Sequence, residues 1–243
     1  MKQLVLTTLL PAVFFCNFAR AEDAKPEHEF TFNAAAVSDY RYRGISQSRL
    51  QPALQGGADY TNNPSGWYLG TWLSTIKWTK DAGGGGNVEI DLYGGKRGQL
   101  TKDVSTDVGI LSYLYPSNGL MPRAETTELY AQLGYGPAYV KYSLALTNLF
   151  GFDNSKRSGY VDIGANIDVG NGFTVNLHAG HQSVKNNPDS AYTDWKLGVT
   201  KDFGAASVAL AVIGADNNTY IGPLPDGKNL AKSALQLMVS KTF

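Results

Sequence analysis

Carboxylates recur on every second residue of segments that otherwise alternate apolar and polar side chains. Asp59, Glu89, Asp91, Asp107, Glu128, Asp162, Asp168 and Asp194 all fall in the polar phase, as do Lys141 and Lys196. Residues two apart in an extended strand share one face, so these ten are expected to line a single hydrophilic surface. A ring of one charge sign biases which ions enter a passage. If the segments enclose a lumen, the excess of acids predicts a narrow channel with a weak cation preference. Upstream, Asp39, Arg41 and Arg43 alternate with Tyr40 and Tyr42. Such a strip could stack nucleobases, but on the rim of a closed sheet it reads more simply as a charged aromatic segment bending in or over the mouth.

Other chemistry finds little support. His178 and His181 lie three apart on one predicted strand and so face opposite sides, which is wrong for a shared metal ion; His28 precedes the first strand. His178 is the one inward candidate for a hydrolase base, and nothing marks a nucleophilic serine beside it. The run Gly83 to Gly86 lacks the Lys-Ser/Thr that a phosphate-binding loop needs. No catalytic residue, metal site or cofactor is expected.

The first residues read as an export leader. Lys2 gives the positive start, an apolar stretch follows, and Ala19-Arg20-Ala21 fits a cleavage site. The stretch is shorter than the ~20 residues of a spanning helix, and Pro11 interrupts it. The expected organisation is therefore a cleaved signal peptide over 1–21 and a single β-barrel domain over 22–243. Cys16, the only cysteine, would leave with the leader. Loss of Lys2 and Arg20 lowers the basic residues from 21 to 19 against 21 acids. So balanced a charge gives no reason to expect nucleic acid as a partner.

Positioning the polar phase requires strands. Period-two patterns predict twelve, over 29–38, 51–60, 67–76, 87–95, 104–115, 126–135, 138–149, 160–169, 173–182, 192–203, 205–214 and 233–243, most near the ~9–11 residues of a tilted membrane strand. Every second connection is short and rich in Gly and Asn, as in 62–66, Gly136-Pro137 and Gly170-Asn171-Gly172. The intervening ones are longer. Short turns at one rim and long loops at the other is the habit of bacterial outer-membrane barrels. An even strand number then puts both termini at the short-turn rim, the periplasmic side. Tyr60, Trp67, Tyr135, Phe173, Phe203 and Phe243 are expected near that rim, and Trp78, Phe150, Tyr160 and Tyr192 near the other, as two interfacial belts. A β-sandwich has the same strand period. The last segment favours closure: Leu235, Leu237, Val239 and Phe243 share one face, and the chain stops on an aromatic.

Several segments carry a family resemblance. Val37-Ser38-Asp39-Tyr40-Arg41-Tyr42-Arg43-Gly44-Ile45-Ser46-Gln47-Ser48 is the sharpest, followed by 52–60, Gly66-Trp67-Tyr68-Leu69-Gly70-Thr71-Trp72, 89–95 and Glu128-Leu129-Tyr130. Together they resemble the TorF-type porin family of proteobacterial outer-membrane proteins, long described as conserved hypothetical. The resemblance implies an outer-membrane barrel, and with the strands read above the expected fold is a twelve-stranded antiparallel transmembrane β-barrel of the outer-membrane type. The resulting expectation is a passive channel for small polar solutes or ions, set in membrane lipid. Its C-terminal strand ending in Phe243 would engage the barrel-assembly machinery. A non-conducting structural or adhesion barrel, an outer-membrane hydrolase and a soluble periplasmic sandwich are the alternatives.

Overall fold

The computed structural model describes residues 26–243; the leader expected over 1–21 lies outside the described residues. Twelve antiparallel strands form one closed barrel: β1 (His28–Val37), β4 (Ala53–Asn62), β5 (Trp67–Thr75), β6 (Val88–Gln99), β7 (Val104–Leu114), β8 (Thr126–Tyr135), β9 (Ala138–Ala145), β10 (Gly159–Gly170), β11 (Phe173–Ser183), β12 (Tyr192–Asp202), β13 (Ser207–Ala215) and β14 (Ala234–Thr242). Each pairs with its sequence neighbours, and β14 pairs with β1 to close the ring. Two further strands, β2 (Arg41–Tyr42) and β3 (Ile45–Ser46), form a separate hairpin in the connection after β1. A single helical turn, α1 (Trp78–Asp81), follows β5.

Closure removes the unpaired edges that would otherwise need solvent or protein partners. The final residue takes part: Phe243 N donates to Phe32 O at 2.8 Å, and Phe32 N donates back to Phe243 O at 3.2 Å. Alternation then divides the chain in two. Leu69, Leu92, Leu129, Ile163, Leu197, Leu210, Leu235 and Leu237 are exposed on the outside, whereas Gln132, Lys141, Asn176, Asp194 and Gln236 are buried inside. Open stacked sheets would bury the leucines instead, so the sandwich alternative is ruled out.

The short connections sit at one end, over 63–66, 100–103, 136–137, 171–172 and 203–206. Asn171 at φ 52° and Gly172 at φ 74° supply the left-handed pair that a two-residue hairpin twisted like its strands requires. Strand β6 runs to Gln99 rather than stopping at Gly95, which makes the turn into β7 as tight as the others. At this rim Trp67, Tyr135, Phe203 and Phe243 are outward and exposed. The belt expected at the long-loop rim is corrected by the structure. Tyr160 and Tyr192 are buried inside, and Trp78 and Phe150 pack against an internal core. Tyr160 shares the inward phase of Asp162, so strand parity overrides its position at the strand end.

Candidate functional site

The connection over 38–52 turns into the barrel instead of outward. Its hairpin tip is Arg43 at φ 46° and Gly44 at φ 81°, between the paired residues Tyr42 and Ile45. Gly44 is pressed against the wall: a Cβ there would lie 2.6 Å from Gly214 O and 2.7 Å from Asp194 Cβ. Only glycine permits this approach in this backbone conformation.

Three charged side chains expected at the mouth lie just inside the long-loop end. Asp39 accepts from Arg41 Nε at 2.7 Å, from Ser46 Oγ at 2.5 Å and from Ser48 Oγ at 3.2 Å. Arg41 Nη1 also donates to Gly44 O at 3.0 Å and Lys232 O at 2.9 Å, stapling the hairpin to the start of β14. Arg43 grips Glu128 through Nη1–Oε1 at 3.0 Å and Nη2–Oε2 at 2.6 Å. It also donates to Gln182 Oε1 at 2.5 Å, and its guanidinium lies 4.0 Å from the centre of the Tyr160 ring. Burial opposes the charge on Arg43, and Glu128 outweighs that opposition.

Aromatics complete the seal. Tyr40 donates to Glu89 Oε1 at 3.0 Å and meets the Trp72 ring edge-on at 5.4 Å. The Tyr42 hydroxyl meets that of Tyr113 at 2.5 Å, and Phe150 packs edge-on against both rings. Burial pushes the Tyr40 and Tyr42 hydroxyls well above the ordinary phenol range, so both stay protonated. Around them Trp72, Ile76, Tyr113, Tyr115 and Ala124 form an apolar core inside the barrel.

Beneath the hairpin lies a cavity of about 110 Å³, room for several waters. Arg43, Lys141, Asp162, His178, Asp194 and Lys196 are among its lining residues. His178 bridges two strands: Nδ1 is 2.8 Å from Asp162 Oδ1 and Nε2 is 2.6 Å from Asp194 Oδ2. Both ring nitrogens therefore face carboxylates, a geometry that the doubly protonated ring satisfies. Tyr139 donates to Asp162 at 3.0 Å and Tyr160 to Asp194 at 2.9 Å. Lys141 is paired across the sheet with Asp162, and its ammonium lies 4.0 Å from the Tyr130 ring centre.

The remaining acids are distributed along the wall. Asp59 accepts from Tyr93 at 2.6 Å. Asp107 accepts from Tyr68 at 2.6 Å and pairs with Arg97 at 3.3 Å. Glu89 and Asp91 are buried beside the apolar core. Asp168 lies exposed near the end of β10, paired with the buried Thr174; its Oδ1 accepts from Gly170 N at 2.8 Å, and the register shift falls just beyond it.

Sequence reasoning missed the tyrosines. Tyr93, Tyr68, Tyr130 and Tyr139 each lie over an inward glycine directly across the sheet, namely Gly70, Gly95, Gly109 and Gly164. The signal was available, since Tyr and Gly alternate with lipid-facing residues on the same strands. Their cross-strand match depends on register, which one sequence leaves open.

Sequence comparison gives a family. The family described as "Bacterial protein of unknown function (Gcw_chp)" matches residues 21–243. The chain belongs to that family. This Gcw_chp assignment does not carry the TorF name. No curated protein sequence matches the Gcw_chp chain. Among solved structures, the Gcw_chp barrel is similar to the KdgM porin, with TM-score 0.57 at 5% identity over 88% of this chain and 98% of that one. It is similar to the NanC porin with the same TM-score at 11% identity, over 87% and 98%. At such identities the likeness is one of fold: a twelve-stranded barrel of the outer-membrane porin type.

Proposed function

We propose that this chain is an outer-membrane channel of the porin class, admitting small polar solutes or ions, and that its inner hairpin holds the lumen shut from the long-loop side. The observation that carries this reading is the division of the barrel interior. A polar cavity lies beneath the hairpin, and the hairpin above it forms a sheet apart from the barrel wall, held by the Arg41 and Arg43 side chains and by backbone bonds such as Ser46 N to Leu230 O at 2.9 Å. Its fold is shared with two porins.

Charge bias in the channel is weak. Asp39, Asp59, Glu89, Asp91, Asp107, Glu128, Asp162 and Asp194 face the interior, against Arg41, Arg43, Arg97, Lys141, Lys196 and His178. Ion pairs neutralise most of the acids, and the residual excess favours cations slightly. Both termini are periplasmic in this reading, the strand ending at Phe243 engages the assembly machinery, and Asp59, Glu89, Asp91, Asp107, Glu128, Lys141, Asp162, Asp194 and Lys196 line the passage. A second reading, a non-conducting structural barrel, draws on the packed aromatic core inside the wall.

Planar-bilayer recording of refolded protein separates the two. The channel reading expects brief openings in the native protein and long ones when 40–47 is replaced by a Gly-Ser linker. A correctly folded linker variant that never conducts would establish the structural barrel.

A further inference from the structure

We infer that Glu89 and Asp91 hold a hard inorganic cation inside the aromatic enclosure behind the inner hairpin. Asp91 is 0% exposed, and neither of its carboxylate oxygens has a hydrogen-bond partner. A buried carboxylate without a partner is rare enough to require an explanation. Glu89, two residues before it on β6, shares its face of the strand. Glu128 is neutralised by Arg43, and Asp39, Asp81 and Asp107 each have their own arginine. Among the described residues the Tyr40 hydroxyl bonds Glu89, and neither carboxylate oxygen of Asp91 has a hydrogen-bond partner.

The surroundings favour positive charge. Register places Asp91 between Trp72 on β5 and Tyr113 on β7. Tyr40, just before the hairpin, meets Trp72 edge-on, and Tyr115, the residue after the end of β7, is buried in the same cluster. Ring faces attract cations, most strongly where water is excluded. Carboxylate oxygens are ligands for hard ions such as Ca²⁺. Among the described residues no three acids, histidines or cysteines are grouped as a metal site. Two carboxylates beside one hydroxyl are few ligands for such an ion, so the inferred site is a weak one. Because Tyr40 donates to Glu89, an ion here also ties the hairpin to β6. This inference does not depend on conduction.

The test is calorimetric titration of refolded protein, stripped with chelator, with CaCl2, MgCl2 and NaCl separately, with tryptophan emission followed in parallel. The native protein should bind one equivalent of at least one ion with a change in emission from Trp72. Asp91→Asn, of nearly the same shape, and Glu89→Gln should each weaken binding at least tenfold, whereas Asp103→Asn, in the exposed turn before β7, should not. Absence of saturable binding of all three ions, or retention of binding by folded Asp91→Asn protein, would overturn the inference and leave a proton shared between the two carboxyls.

Discussion

Arg43 and Glu128 form a two-pronged ion pair, 3.0 and 2.6 Å, between the tip of the inner hairpin and the wall strand β8. Both side chains are almost fully buried. Removing one partner strands a charge in a poorly solvated site, a loss of roughly 3–5 kcal/mol, while replacing both is far milder. Arg43→Ala should therefore lower the unfolding midpoint strongly, and Arg43→Ala/Glu128→Gln should recover much of the loss. Urea titration followed by the gel shift between folded and unfolded barrel would show it. Additive losses would mean that the pair does not anchor the hairpin.

His178 plays a matching part on strand β11. His178→Ala leaves Asp162 and Asp194 facing each other without their bridge and should destabilise the barrel by roughly 3 kcal/mol, in the range for breaking a buried pair. Adding Asp162→Asn and Asp194→Asn should restore most of it. Failure of that rescue would show that His178 contributes packing alone.

The glycines beneath the tyrosines are a further constraint. A Cβ on Gly109 would sit 2.5 Å from Tyr130 Oη and 2.6 Å from Gly94 O. Gly109→Ala should cost about 1–3 kcal/mol through overpacking. Gly98→Ala, whose nearest neighbour is Thr106 Oγ1 at 3.4 Å, should be nearly silent in the same urea assay. Equal effects at the two positions would contradict the stacking.

Orientation is testable in cells. Asp226→Cys lies in the connection between β13 and β14, and Ser65→Cys in the short turn after β4. An impermeant maleimide should label the first on intact cells and the second only after the envelope is opened. The reverse pattern would invert the proposed topology.

The barrel was legible because alternation, turn residues and strand length agree along the chain. Strand β8 over Thr126–Tyr135 matches expectation at both ends. Strand β9 ends at Ala145 rather than Leu149, and beyond it side-chain bonds to the first residue of β8 take over: Thr126 Oγ1 donates to Asn148 O, and Phe150 N donates to Thr126 Oγ1. The inner hairpin was not legible as strands, since two-residue segments have no period. Its chemistry was partly visible in the alternating Tyr and Arg of 40–43. What sequence could not supply was the register that puts Arg43 against Glu128 and His178 between two acids, because those contacts join residues 85 and 16 positions apart.

Single-channel conductance in planar bilayers, comparing native protein with the Arg43→Ala/Glu128→Gln variant, tests the central claim most directly. The account predicts that releasing the hairpin raises open probability at least several-fold at unchanged fold. Identical silence from both proteins, each shown to be a folded barrel, would contradict it.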